Sequence, residues 1–311
     1  MPVYPVATGA PDFSSTGTSK FIPQIWSTKL IIKFYLSTVF GEISNTDYEG
    51  SISKFGDKVI IRTVPDTTIG TYVKNQKLNY EQPESASVEL NIDKGKYFAF
   101  ACDNVDKRQA DINFVEKWSD DAAQQMKIAI DYDVLNNVYT GAVAANKGAN
   151  AGAISGGYNM GVTGTPVALS KTNVLDTIVD AGSVLSEQNV PETGRWMVVP
   201  GWMANLIKKS DLKDASLTGD AVSPLRNGRI GIIDTFTLYI SNNYASVTDG
   251  SDTCYNILFG TNHAITFAAQ MTDMETLPNP DTFGQLIRGL NVYGYEVLKG
   301  EALGVVYAKK A

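Results

Sequence analysis

One histidine, His263, occurs in the 311 residues. That scarcity removes the usual material for a Ser-His-Asp triad, a multi-histidine zinc site or a histidine proton relay. His263 stands in Gly260-Thr261-Asn262-His263, which reads as a turn between two strands and a surface position. Cysteine is almost as rare. Cys102 and Cys254 lie far apart in apolar, strand-like runs and read as buried reduced thiols rather than a disulfide. Basic residues are outnumbered, 26 Lys and Arg against 33 Asp and Glu, and the net charge of −7 argues against a dedicated nucleic-acid binder. No apolar run approaches the roughly 18 residues that a membrane helix needs. Residues 1–20 lack the apolar segment of a signal peptide, so the expected place of synthesis and residence is a cytoplasm. Glycine is common but not arranged for phosphate: Gly156-Gly157, Gly161 and Gly164 fit neither G-x-G-x-x-G nor the Walker pattern, and the stretch 141–166 reads as a linker.

What is present describes a folded chain, 43% apolar and 19% charged, long enough for two compact lobes. The organising stretch is Val88 to Tyr139. Val88, Leu90 and Ile92 alternate with Glu89 and Asn91 as a strand, and Tyr97 to Cys102 form a second. The period then turns helical. Ile112, Val115, Trp118, Ala122, Met126 and Ala129 line one face of a helix uninterrupted by Gly or Pro from Asp111 to Tyr139, roughly 40 Å at 1.5 Å per residue. Asp106 with Gln109, or Asp111 alone, caps its start. From Ile128 onward apolar residues appear on further faces (Ile130, Tyr132, Val134, Leu135, Val138), as expected of a spine packed from both sides between two lobes.

Before the spine, residues 1–20 read as an arm without period, and Ile25 to Phe40 as a helix apolar nearly all round. Such a helix must be covered by its own core or by a neighbouring subunit. Lys58 to Arg62 read as a strand, interrupted at Val64-Pro65 and continued outward over Ile69 to Val73. With the polar tip Lys74 to Ser87 and the returning strand at Val88, this makes a long hairpin, which is marginal alone in water. After the spine, Val174, Leu175, Ile178, Val179 and Leu185 mark a helix capped by Ser170 or Thr172. Arg195 to Val199 read as a buried strand, and Pro200 opens a short helix ending at Lys208-Lys209, so helices flank a small sheet. Tyr255–Phe259, Ala264–Gln270, Phe283–Leu298 and Ala302–Tyr307 are strands, the last buried and expected alongside the spine.

Four stretches in this order and spacing resemble the major capsid proteins of tailed double-stranded DNA bacteriophages, in their podovirus-like branch. They are Ile22-Pro23-Gln24-Ile25-Trp26-Ser27 through Asn45-Thr46-Asp47-Tyr48-Glu49-Gly50 to Gly56-Asp57-Lys58-Val59, and Asp93 through Gln109. Then come Arg195-Trp196-Met197-Val198-Val199-Pro200 with Gly228-Arg229-Ile230-Gly231 and Tyr239-Ile240-Ser241-Asn242-Asn243, and last Tyr293-Gly294-Tyr295-Glu296-Val297-Leu298 with Glu301-Ala302-Leu303. Thr235-Phe236 stands where many relatives have Gly-Phe. The resemblance implies an α+β tailed-phage capsid fold: an N-terminal arm and helix (1–45), an extended β-hairpin loop (46–100), and the first part of a peripheral domain with the spine (101–167). An α/β axial domain (168–245) and the second part of the peripheral domain (246–311) complete it. It implies a structural protein of the virion, assembled in the host bacterial cytoplasm into pentamers and hexamers of an icosahedral shell around double-stranded DNA. Its partners would be copies of itself, a separate scaffolding protein, a portal protein at one vertex and a decoration protein. No cofactor, metal or catalytic residue is implied, and no membrane. Trp26, Phe34, Tyr35, Phe55, Tyr72, Lys74, Lys77 and Tyr80 are the expected inter-subunit contacts.

The alternative of the same fold is an encapsulin, a bacterial nanocompartment shell; the long hairpin and arm favour the phage reading. An enzyme would draw on Asp120, Asp121, Asp131 and Asp133 of the spine, but Asp131 and Asp133 do not share a helical face, and a solvated charged face is expected. A surface or fibre protein is disfavoured by the absent export signal. Lys74, Lys77 and Asn291 have the residue types of an inter-subunit cross-link, but lysines at a polar tip read as solvated.

Overall fold

The computed structural model describes residues 38–48, 58–65, 67–78, 80–82, 84, 87–104, 114–210, 231–280 and 282–311. Its centre is the strand β5, Arg195–Val199, buried at every position. Period-2 alternation sends Trp196 and Val198 to one core and Met197 and Val199 to the other. The same division holds for β9 (Asp252–Thr261), with Leu258 on one face and Ile257 and Phe259 on the other. It also holds for β12 (Leu303–Lys310), with Leu303 and Val305 opposite Val306 and Ala308. A sheet apolar on both faces must be covered on both.

These strands belong to a mixed sheet of seven. Its order is β4 (Val167–Leu169), β12, β9, β5, β7 (Phe236–Ile240) and β6 (Ile232–Ile233), with β8 (Val247–Asp249) paired to β9. β12 runs parallel to β4 and β5 parallel to β7; the other pairings are antiparallel. Asp234, at φ 53, makes the tight turn from β6 into β7, beside Thr235.

One face is covered by two helices. Val174–Glu187 buries Val174, Ile178, Ala181, Val184 and Leu185, and Gly201–Lys209 buries Met203, Ala204 and Ile207. The first begins at Asn173, not at Ser170 or Thr172. Asn173 turns its Oδ1 back to accept from the Ser170 N–H at 2.7 Å, so the side chain shapes the preceding loop instead of capping the helix. Its other end closes with Asn189 at φ 58, while the N–H groups of Asn189 and Val190 donate to the carbonyls of Ser186 and Leu185. That pair of bonds satisfies carbonyls which a helix end otherwise leaves open.

The other face is covered by the spine helix, Phe114–Asn137, which tightens into a 3-10 turn at Val138–Gly141. Its packing is two-sided, as the sequence implies, but the sides divide along its length. Ile130, Val134, Leu135 and Val138 are buried against the seven-stranded sheet. Towards its start the helix leans the other way, with Trp118 edge-on to Phe100 at 5.8 Å. The expected core stripe is therefore only partly a core. Trp118 is 48% exposed, and Ala122, Met126 and Ala129 are half-buried, because this end rests on the margin of a narrow sheet. Ile112 and the Val115 side chain lie outside the described residues.

That narrow sheet has three antiparallel strands: β10 (Ile265–Pro278), β11 (Gly284–Val297) and β3 (Lys94–Asp103). β1 (Lys58–Arg62) and β2 (Ser87–Asn91) form a separate two-stranded ribbon. Its base packs on the sheet through Leu90, Ile92, Val59 and Ile61 against Ala268 and Val292. At this crossing the carbonyl of Asn91 occupies the place where a Cβ on residue 294 would lie, so only glycine fits there.

Three expectations change. Ile69 to Val73 do not continue β1; residues 67–78 carry no strand, only a turn at Lys74-Asn75. The C-terminal strand β12 lies inside the seven-stranded sheet, between β4 and β9, rather than simply beside the spine. The sheet also runs across the border drawn at 245/246, since β9 pairs β5. Of the helix expected over Ile25 to Phe40, all but the last three residues lie outside the described residues; Phe40 opens α1 (Phe40–Ile43).

Candidate assembly surfaces and the junction behind them

Two carboxylates near the C-terminal end of the spine, Asp131 and Asp133, hold the chain together. Asp131 is fully buried, and its Oδ1 accepts the N–H groups of Val39 and Phe40, each at 2.9 Å. Its Oδ2 accepts the Asn243 amide at 2.5 Å. Five residues on, Asn136 donates to the Asn243 carbonyl at 3.1 Å and accepts the Ala245 N–H at 2.5 Å. Spine, incoming arm and the segment 243–245 therefore meet at one buried polar knot, which a buried carboxylate requires if its charge is to be tolerated. Asp133 serves the other side: its Oδ2 accepts the Tyr293 hydroxyl at 2.9 Å, and its carbonyl accepts the Tyr295 hydroxyl at 3.3 Å. Burial, with the Asp133 charge beside them, raises the pKa of both phenols, Tyr295 to about 12. The solvated reading of Asp131 and Asp133 is thus corrected. Their side chains point to different faces, as spacing requires: Asp131 meets the arm and Asn243, and Asp133 meets β11 of the narrow sheet.

From this knot an aromatic series runs outward. Phe40 lies 5.0 Å from Phe267, Phe267 stacks on Tyr293 at 5.8 Å, and Tyr293 stacks on Tyr295 at 6.5 Å. Lys94 Nζ sits over the Tyr295 ring at 5.0 Å, at the root of β3. Arm, spine and hairpin base are in this way packed into one unit.

In the α/β half, Arg195 is a second buried anchor. Its five N–H donors reach the carbonyls of Pro191 (3.0 Å), Gly182 (3.1 Å) and Val190 (2.7 Å), and the hydroxyls of Thr235 (3.4 Å) and Ser186 (3.2 Å). Burial lowers its pKa, opposed by the charges of Glu192 and Asp234. Donors so fully used leave nothing for a substrate.

The surfaces left bare are apolar. On the excursion from the ribbon, Tyr72 is 71% and Tyr80 90% exposed, with Val64, Ile69, Val73 and Leu78 also exposed. Lys74 and Lys77 beside them are exposed. On the narrow sheet Tyr97 is 79% exposed, together with Met274, Leu277 and Leu290. Of the expected contact residues, the structure places Tyr72, Lys74, Lys77 and Tyr80 together on the excursion; Trp26, Phe34, Tyr35 and Phe55 lie outside the described residues. Asn291 sits in β11 opposite Lys96. Among the described residues no His, Cys, Asp or Glu side chains gather into a metal site, and no helix is long and apolar enough to cross a membrane. Cys102 and Cys254 are buried free thiols, and His263 lies in the turn between β9 and β10. Sequence reasoning missed Asp131, Asn136 and Asn243 as a cluster; the one available signal was the run Ser241-Asn242-Asn243 directly after a strand.

Polar groups committed to internal anchoring, beside large apolar surfaces on an extended ribbon, define a structural subunit built to be covered by other chains. The chain belongs to the phage capsid protein family, whose model matches residues 87–308. It is a non-enzymatic structural protein of the virion that assembles with copies of itself into icosahedral capsid shells. A chain in the structure of Mycobacterium phage Che8 is 27% identical over 92% of this chain and 96% of its own, with a TM-score of 0.76. The capsid structure of the Cyanophage P-SCSP1u is 13% identical over the whole of both chains, TM-score 0.71. The capsid of a native GTA particle is 14% identical over 97% of this chain and 99% of its own, TM-score 0.66. The last two bear on the fold alone: the α+β tailed-phage capsid fold, shared beyond any one branch. No curated protein matches the chain.

Proposed function

We propose that this chain forms the pentamers and hexamers of an icosahedral shell enclosing a double-stranded DNA genome, with the excursion from β1 and β2 laid over a neighbouring subunit. The observation that carries this reading is the exposed apolar side chain series on that excursion: Val64, Ile69, Tyr72, Val73, Leu78 and Tyr80. Side chains of this size cluster in water only where a partner covers them, and each is worth about 1.5–3 kcal/mol on full burial. Trp26, Phe34, Tyr35 and Phe55 would join the same contacts, with Lys74 and Lys77 at the rim. Residues 168–245 would meet their copies around five-fold and six-fold axes as the axial domain, its sheet shared with β9 and β12, and 101–167 with the rest of 246–311 would form the peripheral domain. The net charge of −7 suits a wall that encloses DNA without gripping it.

A separate scaffolding protein, a portal protein at one vertex and a decoration protein belong to this proposal. So does membership of the podovirus-like branch, which rests on the order of the four quoted motifs. Electron microscopy of the purified chain, expressed with and without a co-encoded scaffolding protein, tests it. Closed shells with the partner, and rings or aberrant sheets without it, are expected. A small monodisperse oligomer under both conditions would refute it. An encapsulin-like shell is separated by particle diameter and by the absence of DNA.

A further inference from the structure

Among the described residues, two of the open strand edges carry opposite charges. β1 has only β2 beside it; among the described residues no strand pairs with its other edge. A two-stranded ribbon is marginal in water and gains most from a third strand. The outward side chains of β1 are Lys58, Ile60 and Arg62, all exposed. β10 is likewise an edge. Its first residues are covered by the arm, where Asn45 donates to the Ile265 carbonyl at 3.0 Å and accepts the Phe267 N–H at 2.9 Å. Beyond the irregularity between Ala269 and Met271, β11 flanks it on one side, and among the described residues no strand pairs with its other edge as far as Pro278. Asp273, Glu275 and Leu277 alternate along that open stretch, on the face that carries Tyr97 and Leu290.

We propose that β1 of one copy pairs with the open edge of β10 in a second copy, joining ribbon and narrow sheet of two subunits into one continuous five-stranded sheet. This rests on the shell reading above. Charge selects the edge. β3, the other margin of the narrow sheet, starts with Lys94 and Lys96 and would repel Lys58 and Arg62. β10 offers Asp273 and Glu275. Opposite charges on facing strands stabilise the pair, and like charges there oppose it. An exposed edge this long is an aggregation hazard in a free subunit, and the basic–apolar–basic face of β1 lets the correct partner take it.

Lys58 is already bonded to Glu89 and Glu275 to Arg288, so the test uses Arg62 and Asp273, which keeps those pairs intact. Full-length Arg62→Asp and Asp273→Arg are each expected to lower shell yield at least tenfold while subunit melting is unchanged. The double variant Arg62→Asp/Asp273→Arg should recover most of the yield, because every copy then carries the swapped pair. In wild-type shells, amide exchange over residues 272–277 should slow at least tenfold relative to dissociated subunits. Normal yield in both single variants, no recovery in the double variant, or unslowed exchange at 272–277 in intact shells would each overturn the pairing. Failure of the wild-type chain to form shells at all would instead strike the underlying shell reading.

Discussion

Replacing Asp131 by alanine tests whether one buried carboxylate ties the arm to the spine. The substitution deletes the acceptor for three donors: the N–H groups of Val39 and Phe40 and the Asn243 side-chain amide. A buried donor left unsatisfied costs about 1–3 kcal/mol. Val39 and Asn243 are buried, whereas the Phe40 bond is only part-buried and water can replace it at lower cost. Against this stands relief of the desolvation of the carboxylate itself, several kcal/mol in a dry site. The balance is a destabilisation of about 2–4 kcal/mol, a large share of the 5–15 kcal/mol typical of a folded domain. Urea unfolding of dissociated subunits should show it as a lower midpoint with an unchanged slope. Amide exchange at Val39 and Phe40 should accelerate more than exchange in β5. The double variant Asp131→Asn/Asn243→Asp should recover much of the loss. It keeps an oxygen facing the arm and exchanges donor for acceptor across the 131–243 bond. A loss below about 1 kcal/mol for Asp131→Ala, with arm exchange unchanged, would refute the account.

The second anchor gives a sharper contrast of chemistry at constant charge. Arg195→Lys keeps the cation but supplies three donors where five are used, leaving carbonyls among Pro191, Gly182 and Val190 unpaired. A loss of about 2–3 kcal/mol in urea unfolding is expected; equal stability would mean the guanidinium fork is not what closes this corner. Glu187 provides the pH prediction. Its carboxylate accepts the N–H groups of Ile154 (2.8 Å) and Ser155 (3.0 Å), which holds its pKa below the ordinary value. A depressed folded pKa contributes stability that is present above the unfolded value and lost as pH falls through the folded one. Proteolytic nicking near residues 154–157 should therefore rise only on acidification below the usual carboxylate range, and Glu187→Gln should already be nicked faster at neutral pH. Equal nicking of both chains at neutral pH would remove Glu187 from that role.

Much of the fold was legible because its strongest signals are local. The β5 run is apolar at four successive positions after Arg195, as a strand covered on both faces must be, and the spine shows an unbroken helical period. The second face of the spine was visible as extra apolar residues from Ile128. What those residues touched was not visible, because the two packing partners come from opposite ends of the chain. Asp131 and Asp133 looked like a solvated face for the same reason. A carboxylate buried by a backbone 92 residues away has no signature in its own neighbourhood. The absent strand at Ile69 to Val73 shows the converse: β-forming residues do not make a strand without a neighbour to pair with. On the candidate surface, the residue types at the hairpin were readable, whereas the open edge of β10 depends on which strands lie beside it.

The position of β12 sets an order of events in the life of the subunit. Because Leu303–Lys310 lies between β4 and β9 and supplies side chains to both cores, the sheet cannot close until synthesis has passed Lys310. A nascent chain therefore holds its spine, ribbon and two half-built cores open until β12 arrives, and such non-local pairing is intrinsically slow. Chains cut short before Leu303 lack the strand that joins β4 to β9, so they never present the rigid body on which a neighbour could be laid. Entry into the proposed shell is thereby tied to a strand more than two hundred residues along the chain from the ribbon.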